Sequence, residues 1–239
     1  MPAPRILAID IGGSAVKAMV FGADGKALSE RARLPTPDPA TPRAVLAVIR
    51  TLARSLAPFE RVSAGFPGVV RAGVVYTAVN LHPSWEGVDL ASALRRQTGR
   101  PSRVANDADV QGMGAVKGKG VELVVTLGTG FGSALFIDGR LVPNLELGHN
   151  PFRKGQTYEE QLGAEALDDI GAKRWNRRMG KALRTLERVF NYDVVYIGGG
   201  NARKLAVELP PKAVVVSNAA GLAGGVALWR TAGVTSGSR

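Results

Sequence analysis

Residues 8–17, Ala8-Ile9-Asp10-Ile11-Gly12-Gly13-Ser14-Ala15-Val16-Lys17, and residues 124–133, Val124-Val125-Thr126-Leu127-Gly128-Thr129-Gly130-Phe131-Gly132-Ser133, are two versions of one plan. In each, a short apolar strand runs into a glycine-rich turn and returns as a second strand. An Asp-Gly turn, Asp24-Gly25 or Asp138-Gly139, then leads to a third. Either stretch alone is what an ordinary hairpin carries. The repetition predicts two lobes of one topology facing each other across a central cleft. Both turns leave backbone N–H groups where a phosphate can approach. Neither is G-x-x-x-x-G-K-[ST] or G-x-G-x-x-G, so the P-loop and dinucleotide-binding readings fail.

Outward from these stretches the pattern alternates strands and helices, an α/β architecture. Ile6–Asp10, Val16–Phe21 and Ala27–Ala32 form the first meander. Thr41-Pro42 opens a helix whose Val45, Leu46, Ile49, Leu52 and Leu56 recur at helical spacing. Val62–Phe66 is a strand that breaks at Pro67-Gly68, and Asp89 caps a helix that stops at Gly99. Beyond the second meander, Gly171–Phe190 is an amphipathic helix. Trp175, Met179, Ala182, Leu183, Leu186 and Phe190 share one face, and Lys173, Arg174, Arg177, Arg178, Lys181, Arg184 and Arg188 occupy much of the rest. Val194–Ile197 is a strand entering Gly198-Gly199-Gly200. Gly221, Gly224 and Gly225 allow the last helix to pack closely on another backbone. The expected division is residues 1–108 for an N-terminal lobe and 109–239 for a C-terminal lobe, with the last helix packing back on the first.

The 239-residue chain is 45% hydrophobic and 21% charged, an ordinary folded composition. It contains no cysteine, which excludes a thiol nucleophile and a thiolate metal site and fits a reducing compartment. His82 and His149 are too few for a histidine-rich zinc centre. The net charge of +11 is compatible with a polyanionic partner or with a basic solubilising surface. No basic-aromatic pattern points to nucleic acid. Ile6–Ile11 already contains Asp10, so it is no signal-peptide core, and no apolar run reaches the roughly 20 residues of a span. A cytoplasmic protein without a membrane or nucleic-acid partner is expected.

Three groups carry candidate chemistry. Asp107, in Val104-Ala105-Asn106-Asp107-Ala108-Asp109, ends a strand where α/β proteins present ligand-binding groups, or it serves as a helix cap. Glu146 and His149 bracket Leu147-Gly148, with Glu159 and Glu160 following; they are either solvated loop groups or the polar set that holds a polyhydroxylated ligand. The glycine turns complete the set.

Taken together these motifs resemble the ROK family (repressor, open reading frame, kinase) of bacterial sugar kinases, and within it the glucokinases that use polyphosphate. The resemblance runs from Ile6 to about Trp229. It rests on residues 10–17 and 127–133 as phosphate motifs, Gly65-Phe66-Pro67-Gly68, Asn80 with Trp85, Asn106-Asp107-Ala108-Asp109, Glu146-Leu147-Gly148-His149 and Gly198-Gly199-Gly200. It implies a two-lobed actin-like ATPase fold, ribonuclease H-like, and a homodimer.

By that resemblance Asp107 is the general base that takes the proton from a sugar hydroxyl. Gly68, Asn80, Asn106, Glu146, His149 and Glu159 hold the sugar. Asp10 holds Mg²⁺ through water. Gly12, Gly13, Ser14 and Lys17, with Thr126, Gly128, Thr129, Gly130 and Gly198–Gly200, cradle the donor's phosphates. The implied reaction is phosphoryl transfer from polyphosphate and/or ATP to the 6-hydroxyl of glucose, which requires mainly positioning and charge neutralisation. An ATP-dependent kinase for mannose, fructose or an N-acetylhexosamine, and a non-catalytic sugar sensor, are the alternatives. Most of the family carries a cysteine-rich zinc loop where this chain has Asn150–Tyr158, so no zinc is expected, and Glu159 competes with Glu160 for its role.

Overall fold

The structure, a computed structural model, describes residues 3–216 and 218–230. The chain divides into two compact units, one of Met1–Gly114 with Ala219–Arg239 and one of Ala115–Asn218.

The first unit contains β1 (Ile6–Ile11), β2 (Ala15–Phe21), β3 (Ala32–Pro35), α1 (Pro42–Ser55), β4 (Arg61–Phe66), β5 (Val70–Arg71), β6 (Val74–Val75), α2 (Leu90–Thr98), β7 (Ser102–Asn106) and α3 (Asp107–Ala115). Its sheet runs β3-β2-β1-β4-β7, antiparallel through the meander and parallel from β1 onward. β1 lies at the centre with nearly every residue buried, as expected of a strand covered on both faces. Thr41 caps α1 by accepting from Ala44 N, Pro42 opens the helix, and Val45, Ile49 and Leu52 turn inward. Asp89 caps α2 through Ser92 N, and Gly99 closes it in the left-handed region. The third strand does not occupy the expected Ala27–Ala32. Ala27 makes one isolated bridge to Phe21, and the Ser29 hydroxyl accepts from Val20 N at 3.0 Å, so a side chain replaces the ladder until Ala32.

The second unit contains β8 (Val121–Leu127), β9 (Phe131–Ile137), β10 (Arg140–Val142), β11 (Pro151–Arg153), β12 (Gln156–Thr157), α4 (Tyr158–Leu162), α5 (Ala164–Phe190), β13 (Val194–Gly198) and β14 (Ala213–Val215). Its sheet, β10-β9-β8-β13-β14, repeats the first in order and direction: an antiparallel meander, then two strands parallel to its first. The repetition in sequence is thus a repetition in topology. α5 begins earlier than the basic segment suggests and breaks at Gly171, whose φ of 72° and ψ of 159° are not helical. Past that break Trp175, Met179, Ala182, Leu183 and Leu186 are buried against β8 and β13 residues, while Lys173, Arg174, Arg177, Lys181, Arg184 and Arg188 are exposed.

α6 (Asn218–Ala227) completes the first unit. Gly224 lies against the carbonyl of Val110 in α3 with no room for a side chain, and Gly225 packs tightly on Ala8 and Ser63. Ser63 Oγ donates to Gly225 O at 2.5 Å and accepts from Trp229 Nε1 at 2.9 Å. The Trp229 ring stacks with the guanidinia of Arg61 and Arg103, each within 5 Å of its centroid. Among the described residues no helix is long and apolar enough to cross a membrane.

Candidate active site

In the first unit the candidate residues gather at the carboxyl ends of β1, β4 and β7. Asp10, near the end of β1, pairs in register with Lys17 of β2, and Lys17 Nζ lies 2.8 Å from Asp10 Oδ2. Gly12, Gly13 and Ser14 form the turn between these strands, with Gly13 and Ser14 exposed. Thr36 steadies the turn by donating its hydroxyl to Gly12 O at 2.5 Å. The Asn80 backbone lies against Gly13, so one sugar candidate borders the first phosphate turn.

At the head of α3 the structure separates the roles of Asn106 and Asp107. Asn106 Oδ1 accepts from Ala108 N at 2.8 Å and Asp109 N at 3.1 Å, which makes Asn106 the helix cap. Its Nδ2 donates to Gly68 O at 3.2 Å and so fastens the Pro67-Gly68 loop to the helix. Thr77 holds the other side of that loop, accepting from Val69 N at 2.9 Å. Asp107 is partly exposed, accepts from Ala108 N at 2.7 Å, and has its backbone packed on Gly65 of β4. Trp85 is a core residue: fully buried, 5.0 Å from the Phe66 ring, with Nε1 bonded to Ala40 O.

In the second unit two clusters share an edge. Gly128, Thr129 and Gly130 link β8 to β9, and Gly199, at a φ of 88°, lies directly on the Leu127 backbone. Asn201, which the sequence reading passed over, joins these turns: its Nδ2 donates to Gly128 O at 3.1 Å and its N–H to Leu127 O at 2.9 Å. An asparagine directly after three glycines was the available signal. Thr129 and Gly200 are exposed, whereas Thr126 is buried within β8, in register with Gly198 and Gly132.

The carboxylates form the second cluster. Glu146 Oε2 lies 3.4 Å from His149 Nε2. Ser133, on β9, fixes their loop by donating to Leu145 O and accepting from Leu147 N. Glu159 accepts from Phe131 N at 3.2 Å and fills the space beside Gly130. Glu160 turns the other way, accepting from Thr157 N at 2.7 Å in a capping box for α4. Burial holds the Glu146 carboxyl above its ordinary range; the nearby Glu159 charge adds to this and His149 opposes it. The stretch that differs from the zinc-loop pattern is the β11–β12 hairpin, held by Phe152 and Tyr158 rings 4.5 Å apart and by Arg153 Nη1 donating to Gln161 Oε1 at 3.1 Å.

Paired five-stranded sheets of the same order, each with a glycine turn between its first two strands, define the two-lobed actin-like ATPase fold. Solved structures agree. The inorganic polyphosphate/ATP-glucomannokinase of Arthrobacter sp. strain KM superposes with a TM-score of 0.87 at 34% identity, covering 94% of this chain and 97% of that one. A ROK family glucokinase from Streptomyces griseus, solved with glucose and AMPPNP, shares the fold with a TM-score of 0.78 at 21% identity, covering 94% of this chain and 98% of that one. The polyphosphate glucokinase of Mycobacterium leprae (strain TN) is 33% identical over 248 residues, spanning 97% of this chain and 76% of that protein. Residues 6–160 match the model of the ROK family, and the chain belongs to that family.

Proposed function

We propose that this protein is a sugar kinase that transfers a phosphoryl group from inorganic polyphosphate or ATP to the 6-hydroxyl of glucose. One observation carries the reading. Glu159, beside Glu146 and His149, accepts from Phe131 N at the edge of the Gly128–Gly130 turn, so groups suited to sugar hydroxyls adjoin a turn suited to phosphate. The names of the similar polyphosphate glucokinase and polyphosphate/ATP-glucomannokinase support the choice of donor and acceptor.

Under this reading Asp107 accepts the proton of the 6-hydroxyl as its oxygen attacks phosphorus. Asn80, Asn106, Gly68, Glu146, His149 and Glu159 orient the sugar so that this oxygen lies in line with the donor. Gly12, Gly13 and Ser14, with Gly128, Thr129, Gly130 and Gly198–Gly200, offer N–H groups to the donor phosphates, and Lys17 adds a cation. Among the described residues no three metal-binding side chains cluster. A lone carboxylate at Asp10 suits Mg²⁺, which commonly takes one or two protein carboxylates and fills its shell with water and substrate phosphates. When bound there, the ion supplies charge neutralisation at the donor phosphates. The N-terminal lobe thus contributes the base and the C-terminal lobe most of the donor turn. The place of action is the cytoplasm, which the absence of cysteine suits, and the form is the homodimer implied by family resemblance.

The test is glucose 6-phosphate production with Mg²⁺, supplying ATP and long-chain polyphosphate separately, with Asp107→Asn as control. Production from either donor, lost in the variant, supports the reading. Production of another hexose phosphate alone replaces the acceptor, and silence on all hexoses refutes the kinase.

A further inference from the structure

The basic face of α5 contains two stripes, Arg174-Arg178-Lys181 and Arg177-Lys181-Arg184-Arg188, each at helical spacing. Neighbouring elements single out the first. Arg178 Nη1 donates to Gln161 O at 3.2 Å, and Arg153, from β11, donates its Nη1 to the Oε1 of the same residue at 3.1 Å. Lys181 Nζ lies 5.9 Å from the centroid of Phe152, next to Arg153 in the hairpin. Two cations from two elements therefore bond the buried Gln161, Lys181 lies over the ring beside Arg153, and Arg174 is close enough for its charge to act on Arg178. Among the described residues no carboxylate forms an ion pair with any of them.

Like charges gathered in this way repel one another, and a bound anion would relieve the repulsion. Burial lowers the Arg178 pKa, and the nearby charges of Arg153 and Arg174 lower it further. The guanidinia of Arg153 and Arg178 each have five donors, of which Gln161 takes one. One short helix, α4, also touches both the donor turn and the cluster. α4 places Glu159 against Gly130 and, two residues later, Gln161 against the guanidinia, while Gly163 rests on Thr129 O.

We infer that Arg153, Arg174, Arg178 and Lys181 form a subsite for the distal phosphates of a linear inorganic polyphosphate, engaging the chain beyond the reacting end. This rests on the donor reading above and assigns that donor its own binding surface. ATP, with its phosphates confined to the glycine turns, does not reach it.

The experiment compares the full chain with an Arg174→Gln/Lys181→Gln double variant, whose changes fall on exposed side chains, and with Arg153→Gln. Equilibrium binding of long-chain polyphosphate, tripolyphosphate and ATP is measured at several salt concentrations, beside glucose phosphorylation with each donor. The double variant is expected to bind long-chain polyphosphate about tenfold or more weakly, with the slope of log affinity against log salt flatter by roughly 1.5. ATP-driven turnover and the thermal midpoint stay unchanged. Arg153→Gln weakens the same ligand without altering the other two. Unchanged long-chain binding in both variants overturns the subsite. Equal weakening of all three ligands also overturns it, since that places the cations at the reacting phosphates. If the parent binds the chain through these residues yet does not use it to phosphorylate glucose, the subsite stands and the donor reading fails.

Discussion

The Cα of Asp107 lies 3.1 Å from the point where a side chain on Gly65 would begin. The end of β4 and the head of α3 are thus in contact through backbone, and the proposed base is held by what Gly65 lacks. Gly65→Ala must push that helix head by a few tenths of an ångström. Because a displacement of about 1 Å can cost about 10²-fold, we expect kcat to fall about tenfold with little change in donor KM. Asp107→Asn, which keeps the shape and loses the base, should cost about 10²–10⁴-fold. Steady-state kinetics with either donor checks both, and an Asp107→Asn enzyme of parental kcat would remove Asp107 from the chemistry.

Glu159 and Glu160 are neighbours with different surroundings, and their variants should separate. Glu159→Gln is expected to raise glucose KM or lower kcat while leaving the thermal midpoint nearly unchanged. Glu160→Ala breaks the capping box with Thr157 and should cost about 1 kcal/mol of stability with little direct effect on turnover. Melting curves and glucose kinetics on the pair decide which acid faces substrate.

Glu146 links function to pH. Burial raises its carboxyl pKa in the folded protein, so between the ordinary carboxylate range and the raised value the folded state retains a proton that the unfolded state has lost. Stability contributed at this position is therefore present below that window, declines as pH rises through it, and stays low above it. Glu146→Gln should flatten this part of the stability curve. Above the window the variant is expected to be at least as stable as the parent and slower on glucose. Denaturant unfolding across the acid range is the measurement, and parallel curves would contradict the expectation.

Gly199 has no room for a side chain, since Leu127 N and O occupy the space, and its φ of 88° disfavours one in any case. Gly199→Ala should separate the 198–200 turn from the 128–130 turn, raising KM for ATP and polyphosphate together and lowering stability by about 1–3 kcal/mol. Glucose KM should change little. A rise confined to glucose would mean that these turns do not form the donor site.

Much of this was legible because it is local. The paired glycine turns were written as a repeat, and the sheets repeat with them. Thr41, Asp89 and Gly99 are helix-boundary residues whose roles need only neighbours in sequence. What escaped depends on contacts from afar. Nothing around Ser29 shows that its hydroxyl takes the place of a strand pairing to Val20. Nothing near residue 36 shows that Thr36 closes the Gly12 turn. Glu159 and Glu160 are indistinguishable until Phe131 and Thr157 are placed. The basic helix was visible as a pattern, but the choice of stripe awaited Gln161 and the hairpin that carries Arg153.

The first unit is discontinuous: α6 and Trp229 reach Ala8, Ser63, Arg61 and Arg103 only after the whole second unit has been made. During synthesis, the segment bearing Asp10 and Asp107 leaves the ribosome first yet must wait, with Ile6, Ala8 and Phe21 uncovered, for Leu222 and Val226 to arrive. The usual order, in which an N-terminal domain can complete its core before its successor is made, is therefore not open to this unit. A chain stopped short of α6 would leave Ile6, Ala8 and Phe21 without their cover, so the half that carries Asp10 and Asp107 depends for its completion on a helix more than 100 residues further along.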